Sequence, residues 1–150
     1  VPVIYSEEED FPFGGYKHLF DGEDVVIVAS GYMVHVARAA AAALEEKAGL
    51  SASIVDAYSL PLSEQSLREI IQIGDDCRGQ LLVVEDNYAG GVYDEIAAAA
   101  ARSDLGVRVE GQVLTTIPKS ARTPEETLAL VHLSVNDIVS ACQRMFDESE

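Results

Sequence analysis

Short runs of branched aliphatic residues alternate with longer amphipathic segments along most of the chain. Four such runs predict β-strands at residues 25–29, 52–57, 81–85 and 107–114, the last with a break near Gly111. The runs are apolar throughout, which is typical of strands covered on both faces. The pattern therefore predicts an α/β fold. We expect a three-layer sandwich in which a mostly parallel sheet of about five strands, one of them antiparallel, carries helices on both faces.

Five helices are predicted between and after these strands, and several have clear boundary signals. They cover residues 33–47, 63–73 and 92–102, and two more begin after Thr123 and Ser134. Gly49 and Gly74 follow the first two helices, where a C-terminal glycine is favoured. Thr123 precedes Pro124 and Glu126, which predicts an N-cap, a proline at N1 and a glutamate at N3. An apolar stripe in the last helix places Cys142 in the core.

The length of 150 residues fits one domain, and 48% of the residues are hydrophobic. Residues 1–24 are turn-rich and are interpreted as a lead-in segment, so that residues 25–150 form the domain. The chain begins with Val1 rather than Met, from which we expect a processed, truncated or excised piece.

The charge is strongly one-sided. Asp and Glu number 26 against 10 Lys and Arg, which gives a net charge of −16. Nucleic-acid binding needs concentrated positive charge, so nucleic acid and anionic membranes are not expected partners. No run approaches the ~18 apolar residues of a transmembrane helix. Cys77 and Cys142 lack metal or disulfide spacing, and we expect both to be reduced in a cytoplasmic protein.

The expected carboxyl ends of the strands carry the candidate ligand crevice, at Ser30 with Gly31, at Asp56 and at Glu85. A Ser30–His35–Asp56 triad is one hypothesis for this edge. The nucleophile elbow GxSxG is missing, however, and His35 lies on the polar side of its helix. The pattern favours a solvated helix face, with Ser30 as a turn and helix-start residue.

Three other features have competing interpretations. Gly90 and Gly91 precede a helix and would let backbone amides bind a phosphate, but a tight turn explains them more simply. Glu85 and Asp86 are adjacent carboxylates at a strand end. Successive strand residues face opposite sides, which argues against an acid–base pair unless the strand has already ended. Lys119 and Arg122 form a compact cationic spot in an acidic chain. They would bind an anion, contact an acidic neighbouring domain, or remain solvated charges.

The histidines show no metal-ligand spacing with one another, so the residues alone predict an α/β domain without a self-contained active site.

Several segments, in order, resemble the transketolase C-terminal domain. Residues 85–92, Glu-Asp-Asn-Tyr-Ala-Gly-Gly-Val, are similar to the family's VEDHY..GGIG segment. Residues 56–62 resemble its DPFTIKPLD stretch, and residues 117–121 resemble its VPRSG loop. Residues 3–15 and 25–31 are similar to its entry segment and first strand. The likeness covers nearly the whole chain and is nearest to the short animal or archaeal type.

Two departures from the family pattern are visible. Residues 59–62 are one residue shorter than the family stretch and lack its lysine. Tyr93 stands where the family often has the last glycine of GGxG, which places a family contact at that turn in doubt.

The resemblance implies a parent enzyme that transfers a two-carbon ketol unit between sugar phosphates in the pentose phosphate pathway, using thiamine diphosphate and Mg²⁺. The family's metal-diphosphate motif is GDG followed later by Asn-Asn. Gly74-Asp75-Asp76 differs from it at the third position, and Asn87 and Asn136 are the only asparagines. This chain is therefore expected to bind no cofactor and no metal, to carry no catalytic residue, and to pack against the remaining domains or subunit of a homodimeric parent.

Two alternatives from other classes stay open. One is a subunit-docking module of a 2-oxo acid dehydrogenase-like complex that uses thiamine diphosphate. The other is a small-molecule regulatory domain that uses the strand-end crevice. Association with a separate thiamine-binding subunit would favour a split enzyme over an excised fragment. A ligand-dependent rise in melting temperature would identify the regulatory domain.

Overall fold

A computed structural model describes residues 2–88, 90–117 and 120–149, with the side chains of residues 148 and 149 excepted. The strands are β1 (Lys17–Phe20), β2 (Val25–Ala29), β3 (Ala52–Asp56), β4 (Gln80–Val84) and β5 (Arg108–Gln112). The helices are α1 (Met33–Ala48), α2 (Glu64–Asp76), α3 (Val92–Arg102), α4 (Pro124–Leu130) and α5 (Val135–Ser149).

The five strands form one sheet in the order β1-β3-β2-β4-β5. Strands β3, β2, β4 and β5 are parallel, and β1 is antiparallel to β3. The predicted α/β class, the mixed sheet and the single antiparallel strand are therefore confirmed. The antiparallel strand lies at Lys17–Phe20, a position that the sequence pattern did not indicate.

Alternate residues of the central strands face two separate cores. On one side, Ile27 and Leu82 pack with residues of α1 and α5. On the other side, Val28 and Val83 pack with residues of α2 and α3. Every residue of β2 and β4 is buried, because helices cover both faces of the parallel part of the sheet.

Most predicted helix boundaries are confirmed. The Thr123 and Ser63 side chains accept hydrogen bonds from the N–H groups of Glu126 and Ser66, and Gly49 ends α1 with φ of 66°. The interpretation of Gly74 as a helix terminator is wrong, since α2 continues to Asp76. Gly74 packs closely there, since a Cβ would lie 3.1 Å from Val107 Cγ1 and would require Val107 to shift by a few tenths of an ångström.

One further expectation is wrong. Strand β5 runs unbroken through Gly111 and ends at Gln112, two residues before the predicted end. Ser30 lies at the turn that leads into α1. Its carbonyl oxygen accepts from Met33 N at 3.2 Å, and the N-cap residue of the helix is Tyr32.

Tyr93 stands where the family often has a glycine, and its ring packs against the backbone of Gly111. A Cβ at Gly111 would lie 2.6 Å from Tyr93 Cδ2. We expect Gly111→Ala to lower the free energy of unfolding by about 1–2 kcal/mol, because the aromatic ring must move. Urea unfolding of a Gly111→Ala, Tyr93→Leu double variant should recover part of that loss. Additive losses from the two single substitutions would contradict the contact.

Candidate functional site

The carboxyl ends of β2, β3 and β4 lie side by side at one edge of the sheet. Ala29, the last residue of β2, is in register with Asp56 of β3 and with Val84 of β4. The chain order reverses beside β2, since β2 connects to β3 on one side and pairs with β4 on the other. Such a reversal point is the usual place for a ligand crevice in open α/β sheets. The structure places Ser30, Asp56 and Glu85 at this edge.

Glu85 is directed into the protein and caps α3. Its side chain is 2% exposed, and its two carboxylate oxygens accept from Val92 N and Tyr93 N, both at 3.1 Å. The first N–H groups of a helix have no partner within the helix and carry partial positive charge. Glu85 therefore supplies the negative group that the start of α3 needs.

The glycines before α3 serve this internal contact. A Cβ at Gly91 would lie 2.7 Å from Glu85 Oε2, so a larger residue there would push the carboxylate out of its present position. Gly90 has φ of 110°, which also favours glycine, and its N–H donates to the Asp94 carboxylate. These contacts support the tight-turn interpretation. The start of α3 does not fit a diphosphate, because a fixed carboxylate already holds its N–H groups.

Asp56 ends β3 and is also buried, at 6% exposure. Its Oδ2 accepts from the Tyr5 hydroxyl at 2.7 Å, whereas Oδ1 has no hydrogen-bond partner. Burial raises the pKa of Asp56, although the Tyr5 hydrogen bond and nearby His35 act in the opposite direction. Burial and the Asp56 charge together raise the pKa of Tyr5, so the tyrosine remains a hydrogen-bond donor.

The catalytic-triad hypothesis receives no support from this arrangement. His35 is half-buried and influences Asp56 electrostatically, but its Nδ1 is buried without a hydrogen-bond partner. Among the residues that the structure describes, no hydrogen bond joins Ser30 to His35 or His35 to Asp56. A triad needs both contacts, so these three residues share an edge without forming a nucleophile–base pair.

The raised pKa of Asp56 predicts a pH-dependent stability. A carboxyl whose folded-state pKa lies above 3.8 binds more protons when folded than when unfolded. Its contribution to stability is therefore full below that value and is lost as the pH rises through the folded-state pKa. We expect the stability of wild type relative to Asp56→Asn to decrease from pH 4 toward neutral pH. Urea unfolding of both proteins across that pH range measures the difference in their free energies of unfolding. A difference that does not change with pH would contradict the prediction.

The cationic spot is described only in part. Lys119 lies outside the described residues. Arg122 is exposed just before α4, and its backbone N–H donates to Glu126 Oε2 at 3.0 Å. An anion or interdomain contact at Lys119 and Arg122 stays a prediction.

Within the described ranges, the structure brings no three His, Cys, Asp or Glu side chains together in a way that could hold a metal ion. No helix of that part of the chain is long and apolar enough to span a membrane.

The contact between Tyr5 and Asp56 could not be found from the sequence, because 51 positions separate the two residues. Glu95 was also missed. It lies on α3 and accepts from Leu62 N at 3.1 Å, which ties the segment after β3 to α3. No spacing rule connects such pairs, and only the order of strands in the sheet brings them together.

The geometry defines an α/β domain in which the strand-end carboxylates of Asp56 and Glu85 form hydrogen bonds within the domain. A family model described as "Transketolase, C-terminal domain" matches residues 14–138. The chain belongs to the transketolase C-terminal domain family.

Curated relatives include mouse transketolase, which is 30% identical over 141 residues. That alignment covers 93% of this chain and 22% of the relative. A 1-deoxy-D-xylulose-5-phosphate synthase of Synechococcus is 31% identical over 147 residues, covering 97% of this chain and 22% of that protein. The chain thus spans about a fifth of the length of these curated relatives.

Solved structures of transketolases share this fold. A split-gene transketolase described as an inactive beta4 tetramer matches with a TM-score of 0.80 and 28% identity. The match covers 96% of this chain and 46% of that one. A Pichia stipitis transketolase, at 20% identity, shows the same fold with a TM-score of 0.66, covering 91% of this chain and 19% of that chain.

Proposed function

We propose that this chain is the C-terminal domain of an enzyme that transfers a two-carbon ketol unit between sugar phosphates. Thiamine diphosphate and Mg²⁺ would be held by the rest of the enzyme. In this proposal the domain supplies surface for packing and assembly rather than catalytic groups. The observation that carries the proposal is the orientation of Glu85. Both of its carboxylate oxygens accept hydrogen bonds from N–H groups at the start of α3 and are therefore not directed toward a substrate.

The second strand-end carboxylate, Asp56, also supports a packing role for this domain rather than a catalytic one. Asp56 holds the hydroxyl of Tyr5 and is almost fully buried, so it is poorly placed to exchange protons with a substrate in solution. Membership of the transketolase C-terminal domain family supplies the chemistry of the parent enzyme.

The proposed setting is a homodimeric, cytoplasmic enzyme of the pentose phosphate pathway. The relatives are several times longer than this chain, which supports further domains beside it. The split-gene transketolase is described as a tetramer, which supports assembly of such proteins. The two cysteines are free thiols, as expected in a reducing compartment.

An activity assay of the pure chain tests the proposal. The chain is incubated with a ketose phosphate donor, an aldose phosphate acceptor, thiamine diphosphate and Mg²⁺. We expect no turnover above a protein-free control, and no heat of binding when thiamine diphosphate with Mg²⁺ is titrated into the chain. Turnover or stoichiometric cofactor binding by the chain alone would contradict the assigned role.

A further inference from the structure

Exposed apolar side chains gather at the carboxyl edge of the sheet. Across the neighbouring strands β3, β2, β4 and β5, the following segments expose Leu60, Tyr32, Tyr88 and Ile117 in that order. At about 4.8 Å between strands, these four segments follow strand ends that span about 14 Å. Phe11 and Phe13 extend the row beyond β3. We call these six side chains the carboxyl-edge patch. Their exposed fractions run from 37% to 85%.

The row extends beyond β3 because the N-terminal segment is fastened to this edge. Phe11 makes edge-to-face contacts with the rings of Tyr5 and Tyr58, both with centroids 4.9 Å apart. The Tyr58 hydroxyl donates to the carbonyl oxygen of Pro12 at 2.9 Å. Gly14 donates its N–H to Ser59 Oγ at 2.9 Å.

Phe13 is thus held on both sides while its own side chain is 85% exposed. An aromatic side chain on a backbone that is already fixed loses little further freedom when it is buried by a partner. Such residues are typical anchors of protein interfaces.

The opposite edge of the sheet has a different character. It is formed by the segments at residues 21–24, 49–51, 77–79 and 103–107, and no large hydrophobic side chain of these described residues is exposed. Six of the nine large hydrophobic side chains that are exposed among the described residues belong to the carboxyl-edge patch, whereas Val3, Phe20 and Leu130 lie outside it. Apolar side chains that are exposed along one edge of a domain mark an interaction site more often than singly scattered ones do.

The charges around the carboxyl-edge patch indicate what covers it. Exposed carboxylates at this edge lie on the N-terminal segment and around the start of α3: Glu7, Glu8, Glu9, Asp10, Asp86 and Asp94. Of the described cations nearby, Lys17 lies over the Phe11 ring, 5.1 Å from its centroid, and Arg122 is exposed. The rim is therefore predominantly negative. A second copy of this chain, itself with a net charge of −16, would bring like charges together.

We propose that the carboxyl-edge patch docks on the thiamine-binding part of the enzyme, at a protein surface with an apolar centre and a rim of Lys and Arg. The proposal rests on the proposed function and adds to it which face of the domain is used. The relatives carry this domain as about a fifth of their length, so a large neighbouring surface exists in the family. Because the charge around the patch is negative, the complementary surface on that neighbour is expected to be basic.

Binding measurements between separate polypeptides test the proposal. The probe is the thiamine-binding part of the same enzyme, which carries the GDG and Asn-Asn motif, expressed as a separate polypeptide. We expect Phe13→Ser and Ile117→Ser each to weaken its binding to this chain at least tenfold by calorimetry. Phe20→Ser is the matched control, because Phe20 is 45% exposed but lies on β1 beside Arg38 of α1. It should bind as wild type does.

A second pair of variants tests the charge argument. Asp10→Lys should slow association with the probe and weaken its salt dependence, because a favourable rim charge has become repulsive. Asp104→Lys makes the same charge change at the opposite edge and should leave the association rate within twofold of wild type. Thermal unfolding of every variant checks that the exposed substitutions leave the fold intact.

The outcomes separate this inference from the proposed function. If the wild-type chain does not bind the thiamine-binding part at all, the proposed function fails. If it binds and the two patch variants bind equally well, the proposed function stands and the assignment of the face is wrong. If the chain self-associates and Phe13→Ser abolishes that self-association, the occupant is a second copy and the proposal is overturned.

Discussion

Replacing Glu85 with alanine is expected to lower the free energy of unfolding by about 3 kcal/mol. The substitution removes the acceptor for the N–H groups of Val92 and Tyr93 at the start of α3. Each buried donor left without a partner costs about 1–3 kcal/mol, and the favourable interaction of the carboxylate with the helix dipole is lost as well. Urea unfolding followed by circular dichroism measures the loss.

Glu85→Gln is the matched control for this prediction. Glutamine has nearly the same shape and keeps one side-chain oxygen as an acceptor, but it has no negative charge. We expect its stability to lie between those of wild type and Glu85→Ala. If Glu85→Ala were as stable as wild type, the carboxylate would be dispensable to the fold. The argument that it is engaged structurally would then fail.

The second large effect is expected for Gly22→Ala, which should lower the free energy of unfolding by about 3 kcal/mol or more. A Cβ at Gly22 would lie 2.3 Å from the backbone carbon and 2.6 Å from the backbone oxygen of Ala52. Because backbone atoms of β3 cannot move aside as a flexible side chain can, the turn between β1 and β2 must separate from β3. The hydrogen bond from Gly22 N to Ser53 Oγ, 2.8 Å long, would be lost with it.

Gly106→Ala provides the comparison, since no atom outside its neighbours lies within 4 Å of a Cβ built there. Its free energy of unfolding should stay within about 0.5 kcal/mol of wild type. Equal effects of the two substitutions would show that the loss at Gly22 reflects chain flexibility rather than the contact with β3. Chemical denaturation of both variants under identical conditions decides this.

The sequence was sufficient where a structural feature depends on neighbouring residues. The uninterrupted branched aliphatic run at Val25–Ala29 predicted a strand covered on both faces, because such residues need burial on each side. The Thr123 cap could be predicted because its acceptor and the N–H group of Glu126 are three positions apart.

The sequence was insufficient where a feature depends on tertiary packing. Strand β1 has only four residues, half of them exposed, and its pairing with β3 is set by the sheet rather than by its own pattern. Gly74 looked like a helix end, yet packing against β4 and Val107 carries the helix past it. Both errors have one cause, which is that long-range packing overrides local preference.

The candidate site shows the same division. The strand ends at Ser30, Asp56 and Glu85 could be placed at one edge from the α/β pattern alone. The direction in which the Asp56 and Glu85 side chains point could not be predicted, because it depends on Tyr5 and on the first turn of α3. That direction determines whether the carboxylates are open to a ligand or are hydrogen-bonded within the domain.

The most direct test of the central claim is ketol transfer by the thiamine-binding part of the enzyme, assayed with and without this chain. The account predicts no turnover by the chain alone and a rise in activity that saturates at one chain per thiamine-binding polypeptide. Activity of the thiamine-binding part that is unchanged by the chain, or turnover by the chain on its own, would contradict the account.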